Sequence, residues 1–231
     1  MQLTDQQQSW FDGEGGAARQ WAMAFNYDLG SFFDAERMVP VASAHLAADT
    51  VLARQPGAEL LSFLEREGAR VAVPAWLDPC AVDFGRAAEW VTSYGVDTVF
   101  VEKDRETQRL CQALGFCPTH TCINYQTIEA PAFGDHLAWG DTGAAIAANA
   151  IFGARTNFEG GPSALASALI GCSPDYGMHR RENRRGNLSV LLECAPSEIV
   201  ELGGVGGHRR ASRSGLRHRA GDGRRCCGAG L

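Results

Sequence analysis

A run of very small residues between Ala138 and Gly161, AWGDTGAAIAANAIFGARTNFEGG, constrains this chain more than any other stretch. Ala144, Ala145, Ala147, Ala148 and Ala150 favour a helix and leave room for another backbone to pack closely, so the helix is expected to be buried. Asp141 or Thr142 can cap its start, because a side-chain oxygen there accepts a backbone N–H that has no partner inside the helix. Gly153 suits the left-handed position at which many helices stop. The loop beyond it presents Arg155, Thr156, Asn157 and Glu159, and Gly160-Gly161-Pro162-Ser163 opens a second helix. An arginine fork facing a helix N-terminus is a receptor for a carboxylate or a phosphate.

The rest of the chain alternates short apolar runs with helical patterns. Residues 1–40 read as helical with a break at Gly13-Glu14-Gly15-Gly16, and 57–68, 87–93 and 107–114 read as further helices, the last ending at Gly115. Residues 38–42, 70–74, 97–101 and 188–194 read as strands. This order predicts an α/β fold: mostly parallel sheet layers flanked by helices. In such sheets ligands sit beyond the carboxyl ends of the strands, which gathers His45, Trp76, Asp78 and Cys122 around one crevice.

Charge divides the chain. From Glu201 onward there are seven arginines and two acids, which leaves residues 1–200 with 14 basic and 25 acidic side chains. An acidic body argues against nucleic acid as a partner. Past about Gly203 the hydrophobic periodicity stops, so residues 1–202 read as the folded part and 203–231 as an Arg/Gly-rich tail, either disordered or out of frame. No apolar run approaches the roughly 20 residues of a membrane helix, and no signal peptide is visible. With eight scattered cysteines, free thiols or metal ligation are expected rather than disulfides, and the chain reads as cytoplasmic.

Taken singly, the candidate residues are ambiguous. Cys122 stands in a polar context after a strand but has no CxxC partner, so it reads as a small buried hydrophobe or a ligand. His45 is a core histidine or an active-site one. Arg155 can satisfy helix-end carbonyls, yet Arg-Thr-Asn is denser in donors than a connector requires. The run His179, Arg180, Arg181, Arg184, Arg185 is a solvated face or an anion clamp beside the same loop.

Taken together they resemble a known family. Gly13-Glu14-Gly15, Ser43-Ala44-His45, Thr121-Cys122 and Gly134-Asp135-His136-Leu137-Ala138-Trp139 are similar, in that order, to the large-subunit domain of the aconitase X family. The similarity is strongest at Asn149, Gly153–Asn157 and Glu159-Gly160-Gly161, and continues through Pro174–His179 and Glu182-Asn183-Arg184. It spans residues 1 to about 200, roughly the first half of a family large subunit. The family are hydro-lyases that dehydrate cis-3-hydroxy-L-proline or mevalonate 5-phosphate with an iron–sulfur centre, and a small swivelling subunit or domain completes the site.

The resemblance implies an aconitase-like fold, Cys122 as a cluster ligand, and His45 and Asp141 as catalytic positions. It also implies Arg155, Thr156, Asn157 and His179 as contacts to a small-molecule carboxylate or phosphate. Iron with an open coordination position would act as a Lewis acid on the departing hydroxyl, and arginine would fix the carboxylate. This chain departs from the family pattern at three places. Cys-Thr-Pro-Tyr becomes Cys122-Ile123-Asn124-Tyr125, Glu-Ser-Ser becomes Asp141-Thr142-Gly143, and Thr-Thr-Leu-Asn-Pro becomes Ala75-Trp76-Leu77-Asp78-Pro79. The expectation is therefore a shortened hydro-lyase large subunit. The alternatives are a non-catalytic remnant and an anion-binding protein without a cluster.

Overall fold

The computed structural model describes residues 1–47, 55–78 and 80–185, all within one compact unit, Met1–Arg185. The chain begins with α1 (Asp5–Phe11), started by a capping box in which Thr4 and Gln7 satisfy each other's backbone N–H. After a glycine-rich turn come α2 (Ala17–Phe32), β1 (Met38–Pro40), β2 (Ala44–Leu46), α3 (Gln55–Arg66) and β3 (Ala75–Leu77). Helices α4 (Ala87–Tyr94), α5 (Thr98–Leu114) and α6 (Asn124–Thr127) lead to β4 (Ala138–Trp139). Then follow α7 (Thr142–Ala147), a π-helical turn (Ala148–Phe152), α8 (Gly161–Ile170) and β5 (Cys172–Pro174).

The central sheet is parallel, in the order β3-β2-β4, with His45 paired to both Trp76 and Trp139. Two loops extend it. Cys117 bridges Trp76 on one edge. On the other edge residues 155–159 run alongside β4: Arg155 N donates to Asp135 O at 2.7 Å and Glu159 N to Trp139 O at 3.0 Å.

Strand alternation then sorts the side chains onto two faces. Ala44, Leu46, Ala75, Leu77 and Ala138 join the main core with Leu61, Leu64, Leu165 and Leu169. Leu137, Trp76 and Trp139 join a second core with Ala144, Ala148 and Ala154. The small-residue helix buries one face, where Ala144 and Ala148 pack with the two tryptophans, and leaves Ile146 exposed on the other.

Three expected strands change. Residues 97–101 begin α5: the Asp97 side chain accepts from Val99 N at 2.9 Å, and the helix runs on to Gly115 at φ 103°. Residues 70–74 form no strand. Val71 N and Ala72 N instead donate to Leu114 O and Ala168 O, the carbonyls that end α5 and α8, so this stretch caps two helices and the strand starts one residue after Pro74. β1 is a strand, but it pairs antiparallel with β5, apart from the parallel sheet. The strand expected at 188–194 and the tail at 203–231 lie outside the described residues. Among the described residues no helix is long and apolar enough to cross a membrane.

Candidate active site

The carboxyl ends of the parallel strands gather four of the expected residues. His45, on β2, is fully buried, and its Nε2 lies 2.6 Å from Asp78 Oδ1 just past β3. Past β4, Asp141 caps α7 by accepting from Ala144 N at 2.8 Å. The Cys122 sulfur and one oxygen each of Asp78 and Asp141 all lie within 4.8 Å of one another. Trp139 sits behind them with its ring centroid 6.3 Å from His45 and 6.2 Å from Trp76, and its Nε1 donates to Ser43 Oγ at 3.1 Å. One thiolate and two carboxylates around a single point form a donor set for one metal ion, of the mixed sulfur and oxygen kind that iron accepts. The buried His45 imidazole abuts one of those carboxylates, without hydrogen-bond geometry between them.

The 155–159 strand leads elsewhere. Arg155 pairs with His136 at the amino end of β4, whereas Asp141 lies beyond its carboxyl end. Asp141 lies five positions after His136, roughly 16 Å along an extended chain. Arg155 and His179 gather beside His136, before β4, and the metal-type group itself holds Asp78, Cys122 and Asp141.

Thr156 and Asn157 are buried and fully engaged. Thr156 Oγ1 accepts from Trp139 N and donates to Asn157 O, while Asn157 donates to Tyr176 O and accepts from Met178 N. Asn149, inside the π-helical turn, donates to Ala145 O at 2.8 Å and Thr156 O at 2.7 Å, which latches the strand to α7. A π turn interrupts the helix where this latch is needed.

Gly177 closes the other side. Its φ is +55°, and a β-carbon there would collide with Asn157 Oδ1. Gly177→Ala is expected to destabilise the chain by about 1–3 kcal/mol through this backbone strain, read as a lower urea midpoint; an unchanged midpoint would refute the packing described.

His136 Nδ1 and His179 Nδ1 are 2.8 Å apart with their rings stacked at 5.0 Å. Burial first, then the charges of His136, Arg155 and Arg184, push His179 down to about 3. Burial also pushes the Glu159 carboxyl up, against a hydrogen bond from Ser163. His136 and Glu159 were not singled out as site residues from sequence. His136 lies inside the family-like Gly134–Trp139 motif, and Glu159 reads as one more polar loop residue; no pattern in sequence marks a carboxyl as buried.

A family model described as aconitase X first domain matches residues 1–182. The chain is 35% identical over 209 residues to the phosphomevalonate dehydratase large subunit of Thermococcus kodakarensis, covering 90% of this chain and 51% of that one. It is 28% identical over 193 residues to the cis-3-hydroxy-L-proline dehydratase of Pseudomonas aeruginosa, covering 84% of this chain and 31% of that one. The crystal structure of Thermococcus kodakaraensis aconitase X in its holo form superposes with a TM-score of 0.71 at 38% identity, covering 80% of this chain and 45% of the other. The chain spans about half the length of the phosphomevalonate dehydratase relatives it matches.

Proposed function

The chain belongs to the aconitase X family, and from that premise we propose that it contributes one wall of the reaction crevice of a hydro-lyase acting on a small hydroxy acid. The observation that supports this most is the convergence of Asp78, Cys122 and Asp141 at the carboxyl ends of the parallel strands. The relatives named phosphomevalonate dehydratase and cis-3-hydroxy-L-proline dehydratase supply the two substrate classes. The higher identity to the former favours a phosphorylated hydroxy acid. A large subunit calls for a small one, so a swivelling subunit or domain is the proposed partner. Free cysteines at 80, 111, 117, 122 and 172 fit a reducing compartment such as the cytoplasm.

The residues present fit an iron centre in part. Cys122 offers one thiolate, and an iron–sulfur cluster takes several, so its remaining ligands would come from outside the trio. When bound, such a centre with an open coordination position supplies Lewis-acid polarisation of the departing hydroxyl. The chain's own residues do the rest. His45 packs against Asp78 from a fully buried position. Asp141 keeps a second oxygen available while the first caps α7. Trp76 and Trp139 line the floor and exclude water. Thr156 and Asn157 hold the 155–159 strand against β4 and set the crevice edge.

Anaerobic reconstitution of the purified chain with iron and sulfide tests this reading. Iron is expected to be retained by the parent chain, and Cys122→Ser and Asp78→Asn are each expected to weaken retention at least tenfold, in the range seen on loss of an orienting or ligating group. A parent chain that retains no iron, or a Cys122→Ser chain that retains as much, overturns it in favour of a cluster-free anion-binding protein.

A further inference from the structure

Two helices start beside the group formed by Asp78, Cys122 and Asp141: α6 begins two residues after Cys122, and α7 directly after Asp141. With the π-helical turn, α7 makes an eleven-residue span, Thr142–Phe152, that carries no charged residue. One side of the span packs on Trp76 and Trp139 through Ala144 and Ala148. The other side faces solvent: Ile146 is 61% exposed, Ile151 is 74% exposed, and Ala150 beside it is exposed as well. A helix at a protein surface ordinarily turns charged residues outward. This one turns out isoleucine and alanine.

The apolar surface continues beyond the span. Phe133, 89% exposed, lies over Gly153, where a β-carbon would strike its ring. On α6, Tyr125 meets Phe152 with ring centroids 6.0 Å apart, and the exposed Ile123 and Ile128 flank that helix. Apolar residues scattered singly over a surface are ordinary, whereas a contiguous group of them marks an interface. Charge near this face has one sign. No lysine or arginine occurs between Arg109 and Arg155, and Glu129 and Asp135 stand in the segment that carries Ile128 and Phe133. The face is apolar at its centre and acidic at its rim.

We propose that this α6–α7 face is the docking surface for the second half of a family large subunit, on the same or another polypeptide, through a surface that is apolar at its centre and basic at its rim. The chain matches a first domain and spans 51% of one relative and 45% of the superposed crystal structure, so a comparable length of large subunit has a place to take. A second copy of this chain fits less well, because it would set one acidic rim against another. A swivelling small subunit fits less well too. It would uncover the patch at each opening, whereas an interface that stays closed can be this apolar. A body seated on α6 and α7 borders Cys122 and Asp141 and closes that side of the crevice. The proposal rests on family membership and stands whether or not the trio binds iron.

Carbene footprinting tests it on the full chain, alone and co-expressed with the half of the Thermococcus kodakarensis large subunit that lies outside the match. Alone, the chain is expected to sediment as a monomer with Ile146, Ile151 and Phe133 labelled. With the second half it is expected to purify as a one-to-one complex. Labelling then drops at those three positions and persists at Val99 and Phe100, exposed apolar residues of α5. Ile151→Glu and Phe133→Glu are each expected to weaken the complex by about tenfold or more, as loss of a central interface residue does, and Val99→Glu to associate as the parent does. All three replace exposed side chains, and circular dichroism and melting show that each variant is folded. Should the separate half not fold, a single chain joining the two gives the same reading: labelling at the three positions is low in the fusion and rises in its Ile151→Glu variant. Four results overturn the proposal. The chain alone dimerises and Ile151→Glu makes it monomeric; the three positions are unlabelled in the monomer, so that residues 186–231 cover them; the small subunit by itself protects them; or the second half leaves them labelled or binds both glutamate variants unchanged. Iron retention is measured separately, so failure of the docking surface and failure of the hydro-lyase reading are distinguishable.

Discussion

Trp139→Ala is expected to lower the stability of the chain by about 3–5 kcal/mol, the range for deleting a buried large aromatic side chain. Trp139 is fully buried and packs with Trp76 and with Leu137, Ala144, Ala148 and Ala154 in the smaller of the two cores. The alanines around it cannot fill the space it leaves, because none has a side chain long enough to move in. Its Nε1 also donates to Ser43 Oγ, so the substitution strands a buried hydroxyl just before β2. Trp139→Phe retains much of the volume and loses only the hydrogen bond and part of the packing, so its cost is expected to be less than half as large. Urea denaturation followed by circular dichroism gives both values. A Trp139→Ala chain within 1 kcal/mol of the parent would mean that the second core contributes little. Because the same ring backs His45, iron retention is expected to fall with stability in Trp139→Ala and to survive in Trp139→Phe.

Acid is expected to destabilise the chain earlier than its carboxylates alone would. His179 is held down to about 3 in the folded chain, foremost by burial, and titrates near 6.5 once unfolded. Its folded value is depressed, so its contribution to stability is complete above about 6.5 and declines as pH falls toward 3. Through that window the unfolded chain binds a proton that the folded chain refuses, and the slope is about 1.4 kcal/mol for each pH unit. His136 is lowered as well, by burial and by Arg155, and adds to the slope. Asp175 acts in the opposite sense on His136.

The interval from pH 6.5 to 5 is the informative one, since most carboxylates are ionised throughout it. Stability measured across it is expected to fall steeply in the parent and more gently in His179→Gln, which has no proton to gain. Equal slopes in the two chains would show that His179 titrates normally.

Legibility in sequence depended on how local the cause was. Asp141, Gly153 and Pro162 mark helix ends through their own backbone neighbours, and the helices lie where those residues put them. The α/β class was legible from the alternation of apolar runs and helical patterns, but the strands of the parallel sheet, β2, β3 and β4, are only two or three residues long and fall outside the expected runs, too short for a pattern to mark them. Residues 97–101 misled because Val99, Phe100 and Val101 suit a strand, and only Asp97 signals a cap; the helical spacing of Val101, Leu110, Cys111 and Leu114 becomes visible over the full 17-residue length of α5. Residues 70–74 could not be read at all from local pattern, because what their N–H groups meet are the ends of two helices distant in sequence.

The candidate site divides in the same way. His45, Asp78, Cys122 and Asp141 converge because parallel strands end on one side, a rule that sequence order alone invokes. The place of Arg155 follows from its register beside His136, which no spacing in the sequence encodes.

The π-helical turn at Ala148–Phe152 has a consequence for how this chain can vary. A π turn amounts to one residue more than an α-helix would use over the same rise. Deleting any one residue there would let the helix close regularly, and every following residue would rotate by about 100° around the helix axis. Asn149 would lose Thr156, and Arg155 would leave its place beside His136. Point substitutions can adjust what these residues bind, but a change in length at this turn would disconnect them all in a single step. Homologues are therefore expected to keep the residue count across 148–157 fixed.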